Sequence, residues 1–530
     1  MRANQRALIS VSDKRGIIDF ARVHAEHGWE IVSSGGTSRH LTEAGIPVRT
    51  VEEVTGFPEI LGGRVKTLHP KIHGGILADQ NDEGHMQELF EHSIYPFDMV
   101  VVNLYPFEQT VADGTVLFHD AIEQIDIGGV ALIRAAAKNH QHVVVVTSPE
   151  QYGMVLKRIN VWGFTDTERR QLAYEAFLHT AWYDAAISDW LAGHLGFPGF
   201  PDRMVQRLRK KHDLRYGENP HQAGALYEQP GLDCYTAANA RQIWGKSLSA
   251  TTVLDINAGI ETVRELYPQL AAAIIKHGTP CGVGVGDSTL CAFQNAMACD
   301  PESAFGGVVV INTVVTEEVA EAICRQKVDA IVALEFSPGA LEHITAKRAK
   351  AQTPLFKLGE VGVLTSNSLP PGMLNFKPVT GGMVVQRMDT EPFDWKSFRC
   401  VTKLGIKDRY WPDIMFGCKV SKHVKSNSVI VVWKERTIGI GNGQTSRIKS
   451  ARLALEQASN IVEGQNMDLH HAVLVSDSFF PFDDCVRLAA EFGIKTIVQQ
   501  GGSMRDQDSI KAADELGIAM LFTGRRMFWH

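Results

Sequence analysis

The sequence predicts an α/β protein of at least two domains, and three observations carry that expectation. The chain has 530 residues, too many for one hydrophobic core. Short runs rich in β-branched residues alternate with helical patterns, as in sheets built from crossover units. Two of the runs, DMVVVNLYPF (98–107) and HVVVVTS (142–148), are apolar almost without interruption. That is the pattern of parallel strands covered on both faces.

ALISVS (7–12) reads as the first strand and GIIDFARVHAEHG (16–28) as an amphipathic helix stopped by a glycine. WEIVSS (29–34) is a second strand, and GGTSRHLTEAG is a turn leading into a helix. Right-handed crossovers connect such units. Helical segments occupy about 165–195, and LGFPGFPDR (195–203) then concentrates glycine and proline. This places a domain boundary near residue 200. The C-terminal part echoes itself: AAIIKHGTPCGVGVG (272–286) and SVIVVWKERTIGIGNG (428–443) each run from a β-rich segment into G-x-G-x-G. Two related α/β subdomains would produce that echo.

Hydrophobic residues make up 44% and charged residues 21%, the composition of an ordinary globular protein. A net charge of −7 argues against a nucleic-acid binder, which needs a basic surface. A substrate with one phosphate needs only a local basic pocket. The N-terminus lacks the apolar run and cleavage site of a signal peptide, and no stretch reaches the roughly 18 apolar residues of a membrane span. The eight cysteines never occur as C-x-x-C, so neither a disulfide framework nor structural zinc is expected, and a reducing cytoplasm fits.

Strand ends that run into helix starts are where open α/β sheets bind ligands. SVSDK (Ser10 to Lys14) and SGGTS (Ser34 to Ser38) are two such junctions. In the second, glycines admit an anion to the backbone, hydroxyls donate to it, and the helix start offers free N–H groups. A plain turn with a Ser or Thr cap reads the same way in isolation. GRVKTLHP (Gly63 to Pro70) brings Arg64, Lys66 and His69 into a segment where Pro70 disfavours a long helix, and a loop can turn several of them toward one anion. NLYPF, with Asn103 and Tyr105, closes an apolar strand as a site wall would. IDIGG (Ile125 to Gly129) and AKNH (Ala137 to His140) flank a helix and offer Asp126 and Lys138 as acid–base candidates.

In the C-terminal region LRYGENPHQ gathers Arg215, Tyr216 and His221 around a turn, and Arg215 can grip a phosphate or carboxylate with two hydrogen bonds. KHGTPCG directly follows an apolar segment, so Lys276 and His277 are expected at the end of a buried strand, where packing gains little from cations. There His277 can accept a proton near neutral pH and Lys276 can hold charge on a developing oxyanion. Pro280 and Cys281 are similar to part of the zinc-deaminase signature, but position 284 is Gly and the second cysteine is missing, so zinc is not expected. SNS (426–428), QTSR (444–447) and FFPFDD (479–484) are further clusters; the aromatics suit either a flat ligand or a core. The end, TGRRMFWH, carries aromatics and two arginines in place of a polar tail, which predicts a docked C-terminus.

In this order the motifs closely resemble the bifunctional AICAR transformylase/IMP cyclohydrolase family over nearly the whole chain. They include SVSDK, SGGT, GGRVKTLHP, NLYPF, QIDIGG, AAAKNH, RYGENPHQ, KHGTPCG, SAFGG, VKSNS, GQTSR, FFPF and DELGIAM. The resemblance implies a methylglyoxal-synthase-like cyclohydrolase domain at 1–198, then a transformylase region at 200–530 of two cytidine-deaminase-like subdomains without zinc. It implies a homodimer, 10-formyltetrahydrofolate as formyl donor and AICAR as acceptor. For the cyclohydrolase it implies nucleotide contacts from Ser12, Lys14, Ser34, Gly35, Gly36, Thr37, Arg64, Lys66, Thr67, Asn103 and Ile127. Lys138 would move the proton, supported by Tyr105, Asp126 and Lys66. For the transformylase it implies His277 as base, Lys276 as charge stabiliser, and Arg215, Tyr216, His221 and Arg526 on the nucleotide. Asn427, Arg447, Phe479, Asp484 and Ser503 complete the nucleotide and folate shell. The sequence departs from the family pattern at GKSLSATT (245–252), Asn442, Asp483 and Cys418. Two other functions fit parts of the pattern: a phosphate-eliminating lyase using the N-terminal domain alone, and a non-catalytic nucleotide sensor.

Overall fold

The apolar runs of the N-terminal region become the strands of one parallel sheet. β1 (Arg6–Val11) leads through α1 (Ile17–Glu26) to β2 (Glu30–Ser33), and α2 (Gly35–Glu43) leads to β3 (Arg49–Thr50). After α3 (Pro70–Leu77) come β4 (Met99–Asn103), α4 (Gly128–Lys138), β5 (Val144–Val146) and α5 (Asp166–Leu195). Every pairing is parallel and the order is β3-β2-β1-β4-β5. β4 is buried along its whole length, which removes any polar alternation from its sequence. The order reverses between β1 and β4, so the chain leaves these two strands in opposite directions and opens a crevice at their carboxyl ends.

α5 is a single helix of 30 residues that buries Leu172, Ala176, Thr180 and Tyr183. Beyond residue 200 the chain still belongs to this unit, because Arg207 pairs with Glu108 at 2.6 Å and Asp189 at 3.1 Å. The computed structural model thus holds two compact units, Met1–Arg207 and Leu208–His530. It describes residues 5–112, 114–159, 163–195, 199–232, 234–359, 369–370, 372–463 and 468–530.

The second unit contains two six-stranded sheets. The first is built from β6 (Arg241–Trp244), α6 (Ala250–Glu265), β7 (Ala271–Lys276), β8 (Thr279–Val285), α7 (Thr289–Met297), β9 (Gly307–Val315), α8 (Glu317–Cys324), β10 (Val328–Phe336), α9 (Pro338–Lys347) and β11 (Leu355–Lys357). The other is built from β12 (Arg399–Cys400), α10 (Trp411–Ser421), β13 (Val429–Val432), β14 (Thr437–Gly441), α11 (Arg447–Glu463), β15 (Val473–Ser476), α12 (Asp484–Glu491), β16 (Thr496–Gln499), α13 (Asp506–Glu515) and β17 (Ala519–Phe522). Their orders, β8-β7-β9-β10-β11-β6 and β14-β13-β15-β16-β17-β12, are one topology used twice. Each has an antiparallel edge hairpin, three parallel strands and an antiparallel last strand. The echo in the sequence is a repeat in the structure.

Packing explains its glycines. A Cβ on Gly282 of β8 would stand 2.0 Å from the Ala296 carbonyl of α7, and one on Gly439 of β14 would stand 2.0 Å from the Ala454 carbonyl of α11. Gly284 and Gly441 repeat the approach one pleat further on, on the same face. The first two glycines of each G-x-G-x-G thus let a helix lie on a strand.

Candidate active sites

The crevice of the first unit holds a cavity of about 630 Å³ lined by the carboxyl ends of β1, β2 and β4 and by the loops 62–68 and 122–129. It brings together Ser12, Lys14, Ser34, Gly35, Gly36, Thr37, Arg64, Lys66, Thr67, Asn103, Tyr105, Asp126 and Ile127. Asn103 sets the wall: its Oδ1 accepts from the amides of Ser12 (2.6 Å) and Asp13 (2.8 Å), and its Nδ2 donates to Asp13 O (2.9 Å). Thr37 ties α2 to β1, because its hydroxyl donates to Val11 O at 2.9 Å and accepts from Val11 N at 3.1 Å. Thr37 therefore offers a ligand its amide and not its hydroxyl.

α2 starts at Gly35 with no side-chain cap, leaving its first amides available to an anion. Gly35 has φ 53°, and a Cβ there would lie 3.2 Å from the Lys66 Nζ. Glycine thus lets the Lys66 ammonium reach the helix start. The loop carrying Arg64 and Lys66 ends where His69 caps α3, accepting from Lys71 N at 3.1 Å. Two carboxylates hold these cations in place: Glu59 lies 3.1 Å from Lys66, and Glu123 pairs with the Arg64 guanidinium.

Asp126 accepts from Gly129 N at 2.7 Å, and its own amide donates to the Tyr183 hydroxyl at 2.8 Å. Tyr183 in turn donates to Gln124 O at 3.0 Å. Burial raises the Asp126 carboxyl above the ordinary carboxylate range, against the pull of the Gly129 and Tyr105 amides. Burial also pushes the Tyr183 phenol up to about 12. Sequence reading misses Tyr183, which sits inside a helical pattern 57 residues from Asp126. Lys138 is not in this cavity. It lines an adjoining cleft with His73, Arg134, Phe177 and Asp184, and the two spaces share Ile125, Asp126 and Ile127 as a common wall.

In the second unit the Lys276–His277 pair does stand at the end of a buried strand, but outside the core. β7 is buried up to Ile275, but Lys276 is half-buried and His277 is exposed. A hairpin turn follows the buried strand at once, with His277 at φ 57° and Gly278 at φ 72°, so the pair leaves the core where the strand stops. Lys276 Nζ donates to Phe305 O at 3.0 Å. Asp255 of α6 accepts from Gly278 N at 2.6 Å, and Lys425 Nζ donates to His277 O at 2.8 Å. Burial raises the Asp255 carboxyl, offset by the turn amides and by the charges of His277 and Lys425.

Lys425 belongs to the VKSNS loop, so two of the motifs meet at this turn. A third meets them through α6: Arg215 N donates to Leu248 O (2.7 Å) and Ala250 N to Tyr216 O (3.1 Å), at the start of the helix that carries Asp255. Arg215 and His221 are exposed, and the Arg215 guanidinium lies 4.8 Å over the Tyr216 ring. In the departure segment, Ser249 caps α6, accepting from Thr252 N at 3.3 Å.

Arg447 is placed differently from a ligand-gripping arginine. It is buried, pairs with the buried Asp477, and donates to Ser476 Oγ at 2.9 Å and Asn427 Oδ1 at 2.8 Å. Its Nη1 is held by Ser476 and Asp477, and its Nη2 orients Asn427. The C-terminus docks beside this cluster, with Met527 N donating to Asp477 O (2.8 Å) and Ser426 N to Trp529 O (2.9 Å). Phe479 and Asp484 follow β15, Ser503 follows β16 and Arg526 follows β17, so all four lie beyond the carboxyl ends of parallel strands. The aromatic trio divides: Phe480 is core, while Phe479 and Phe482 are exposed. Cys281 lies on strand β8 and not at a helix start, and among the described residues no cluster of three His, Cys, Asp or Glu is arranged to hold a metal. Among those residues no helix is long and apolar enough to cross a membrane.

These features define an α/β enzyme with an anion cradle in one unit and a basic pair on a hairpin turn in the other. A family model described as MGS-like domain matches residues 16–131, and one described as AICARFT/IMPCHase bienzyme matches residues 136–457. The bifunctional purine biosynthesis protein PurH of Anoxybacillus flavithermus is 45% identical over 527 residues, spanning 99% of this chain and 100% of its own. PurH of Rhodopirellula baltica is 45% identical over 533 residues, spanning 99% of each. The solved structure of ForH is 36% identical and covers 35% of this chain and 98% of its own, with a TM-score of 0.31. The chain belongs to the AICARFT/IMPCHase bienzyme family.

Proposed function

We propose that the two activities are divided between the units, with ring closure in the cavity of Met1–Arg207 and formyl transfer around the Lys276–His277 turn. As a family member the chain is a bifunctional enzyme of de novo purine biosynthesis, an AICAR transformylase and IMP cyclohydrolase with a folate co-substrate. In our reading the donor is 10-formyltetrahydrofolate, the transformylase region is a pair of cytidine-deaminase-like subdomains, and the chain works as a cytoplasmic homodimer. The exposure of His277, Arg215 and Arg526 supports completion of that site by a second copy. Sedimentation as a monomer at working concentration would remove that part of the reading.

The acceptor amine is a poor nucleophile, because its lone pair is delocalised into the ring and carboxamide. His277 takes its proton as the new N–C bond forms, and Lys276 holds the negative oxygen of the tetrahedral intermediate. The bond from the formyl carbon to the folate nitrogen then breaks, and the proton passes to that nitrogen. In the first unit the amides of α2 with Lys66 and Arg64 hold the phosphate. The carboxamide nitrogen attacks the formyl carbon of the same molecule and water leaves, so holding the two ends together supplies much of the rate. Asp126 serves proton transfer from its buried position, and Lys138, in the adjoining cleft, acts through Asp126, which lines both spaces.

The observation that carries this reading is the cavity at the β1/β4 crossing, where Lys66 reaches the open start of α2. The test is His277→Ala, supplied first with AICAR and formylfolate and then with pre-formed formyl-AICAR. Formyl transfer falls by about 10²–10⁴-fold while cyclisation is retained. Loss of both activities in a folded variant would contradict the division.

A further inference from the structure

The turn that carries His277 has an unusual demand. It is a two-residue hairpin with both central residues left-handed, a geometry that favours Asn-Gly and that is strained for a residue with a Cβ. His277 fills the first position, so the surrounding structure must hold it there. Asp255 accepts from the Gly278 amide at 2.6 Å. On the other side, Lys425 donates to the His277 carbonyl at 2.8 Å. The peptide of His277 is gripped at both ends while its side chain projects free.

The second half of the unit contains the same device. On α10, Asp413 accepts from the Glu435 amide at 2.6 Å, and the two turn residues Lys434 and Glu435 have φ 51° and 52°. Asp413 stands in α10 where Asp255 stands in α6, and each turn joins the edge hairpin of its sheet. The second turn carries no imidazole. Lys434 lies 4.4 Å over the Trp433 ring, and Glu435 bonds Gln269. The carboxylate clamp therefore belongs to the repeated fold, and the imidazole is added to one copy of it.

We propose that Asp255 is a positioning residue for formyl transfer, fixing the His277 turn to α6, the helix whose start also holds the Arg215–Tyr216 loop. This rests on the reading of His277 as the base. One rigid element then sets the distance between the base and a nucleotide-binding arginine. The clamp acts on the chemical step and not on substrate affinity.

The experiment uses the full-length enzyme and compares kcat and KM for formyl transfer in Asp255→Ala, Asp255→Asn, His277→Ala, the Asp255→Ala/His277→Ala double variant and Asp413→Ala. Misplacing a catalytic group by about 1 Å costs on the order of 100-fold, so Asp255→Ala is expected to lower kcat by about 10–100-fold with KM within about two-fold. Asp255→Asn keeps the Oδ1 acceptor and recovers most of the rate. Asp413→Ala stays within about two-fold of wild type. Adding Asp255→Ala to His277→Ala brings no further loss, because the group being positioned is gone. Thermal unfolding screens every variant, and Asp255→Ser takes the place of Asp255→Ala should the latter not fold. An unchanged kcat in Asp255→Ala, or its full penalty persisting in the double variant, overturns the proposal. Wild-type transfer by His277→Ala overturns the reading of the base itself, whereas a dead His277→Ala beside an intact Asp255→Ala overturns only the clamp.

Discussion

At the same point in each half of the second unit, the amide at the start of a hairpin strand donates to a side-chain oxygen: Ala271 N to Asn312 at 2.9 Å, and Ser428 N to Asp477 at 3.0 Å. Asn312 is neutral and closes on itself, its Nδ2 donating to Gln269 O at 2.9 Å. Asp477 is a fully buried carboxylate, and it draws in Arg447 and the Ser426 hydroxyl. A buried amide can be satisfied by backbone alone, whereas a buried charge needs a partner. That partner, Arg447, then orients Asn427, and the docked C-terminus completes the cluster. At the opposite end of the hairpins the roles reverse, and the reacting imidazole sits in the first half. One frame, used twice, supplies two different parts of a site.

The comparison predicts unequal penalties at equivalent places. Arg447→Met strands Asp477 without its cation and is expected to lower unfolding stability by about 3–5 kcal/mol. Asn312→Leu removes only neutral hydrogen bonds and should cost about 1–3 kcal/mol. Denaturant titrations of both variants decide the matter, and equal losses would break the distinction drawn between the two halves. A symmetric effect, comparable to that of Asn312→Leu, is expected for Gly282→Ala and Gly439→Ala, since each Cβ would meet a helix carbonyl at 2.0 Å. About 1–3 kcal/mol is expected for each. A loss in one half alone would show that the two hairpins pack differently.

Much of the first unit was legible because its chemistry sits at strand ends. The buried runs around 98–107 and 142–148 predict parallel strands, and the motifs that follow such strands converge at the switch point of the order. What escaped the sequence is long-range. Nothing near Asp126 announces Tyr183, and nothing near Arg447 announces Asp477, 30 residues away. The exposure of His277 also escaped it, since AAAIIK describes a buried strand but not the tight turn that ends it. The glycine echo was visible, yet its cause, a helix lying on a strand, needed coordinates.

The most direct test of two separate chemistries uses complementary variants. Lys66→Ala, given AICAR and formylfolate, is expected to accumulate formyl-AICAR, and adding His277→Ala protein should then convert it to IMP. If Lys66→Ala forms no formyl-AICAR, or if the mixture forms no IMP, ring closure and formyl transfer do not reside where this account places them.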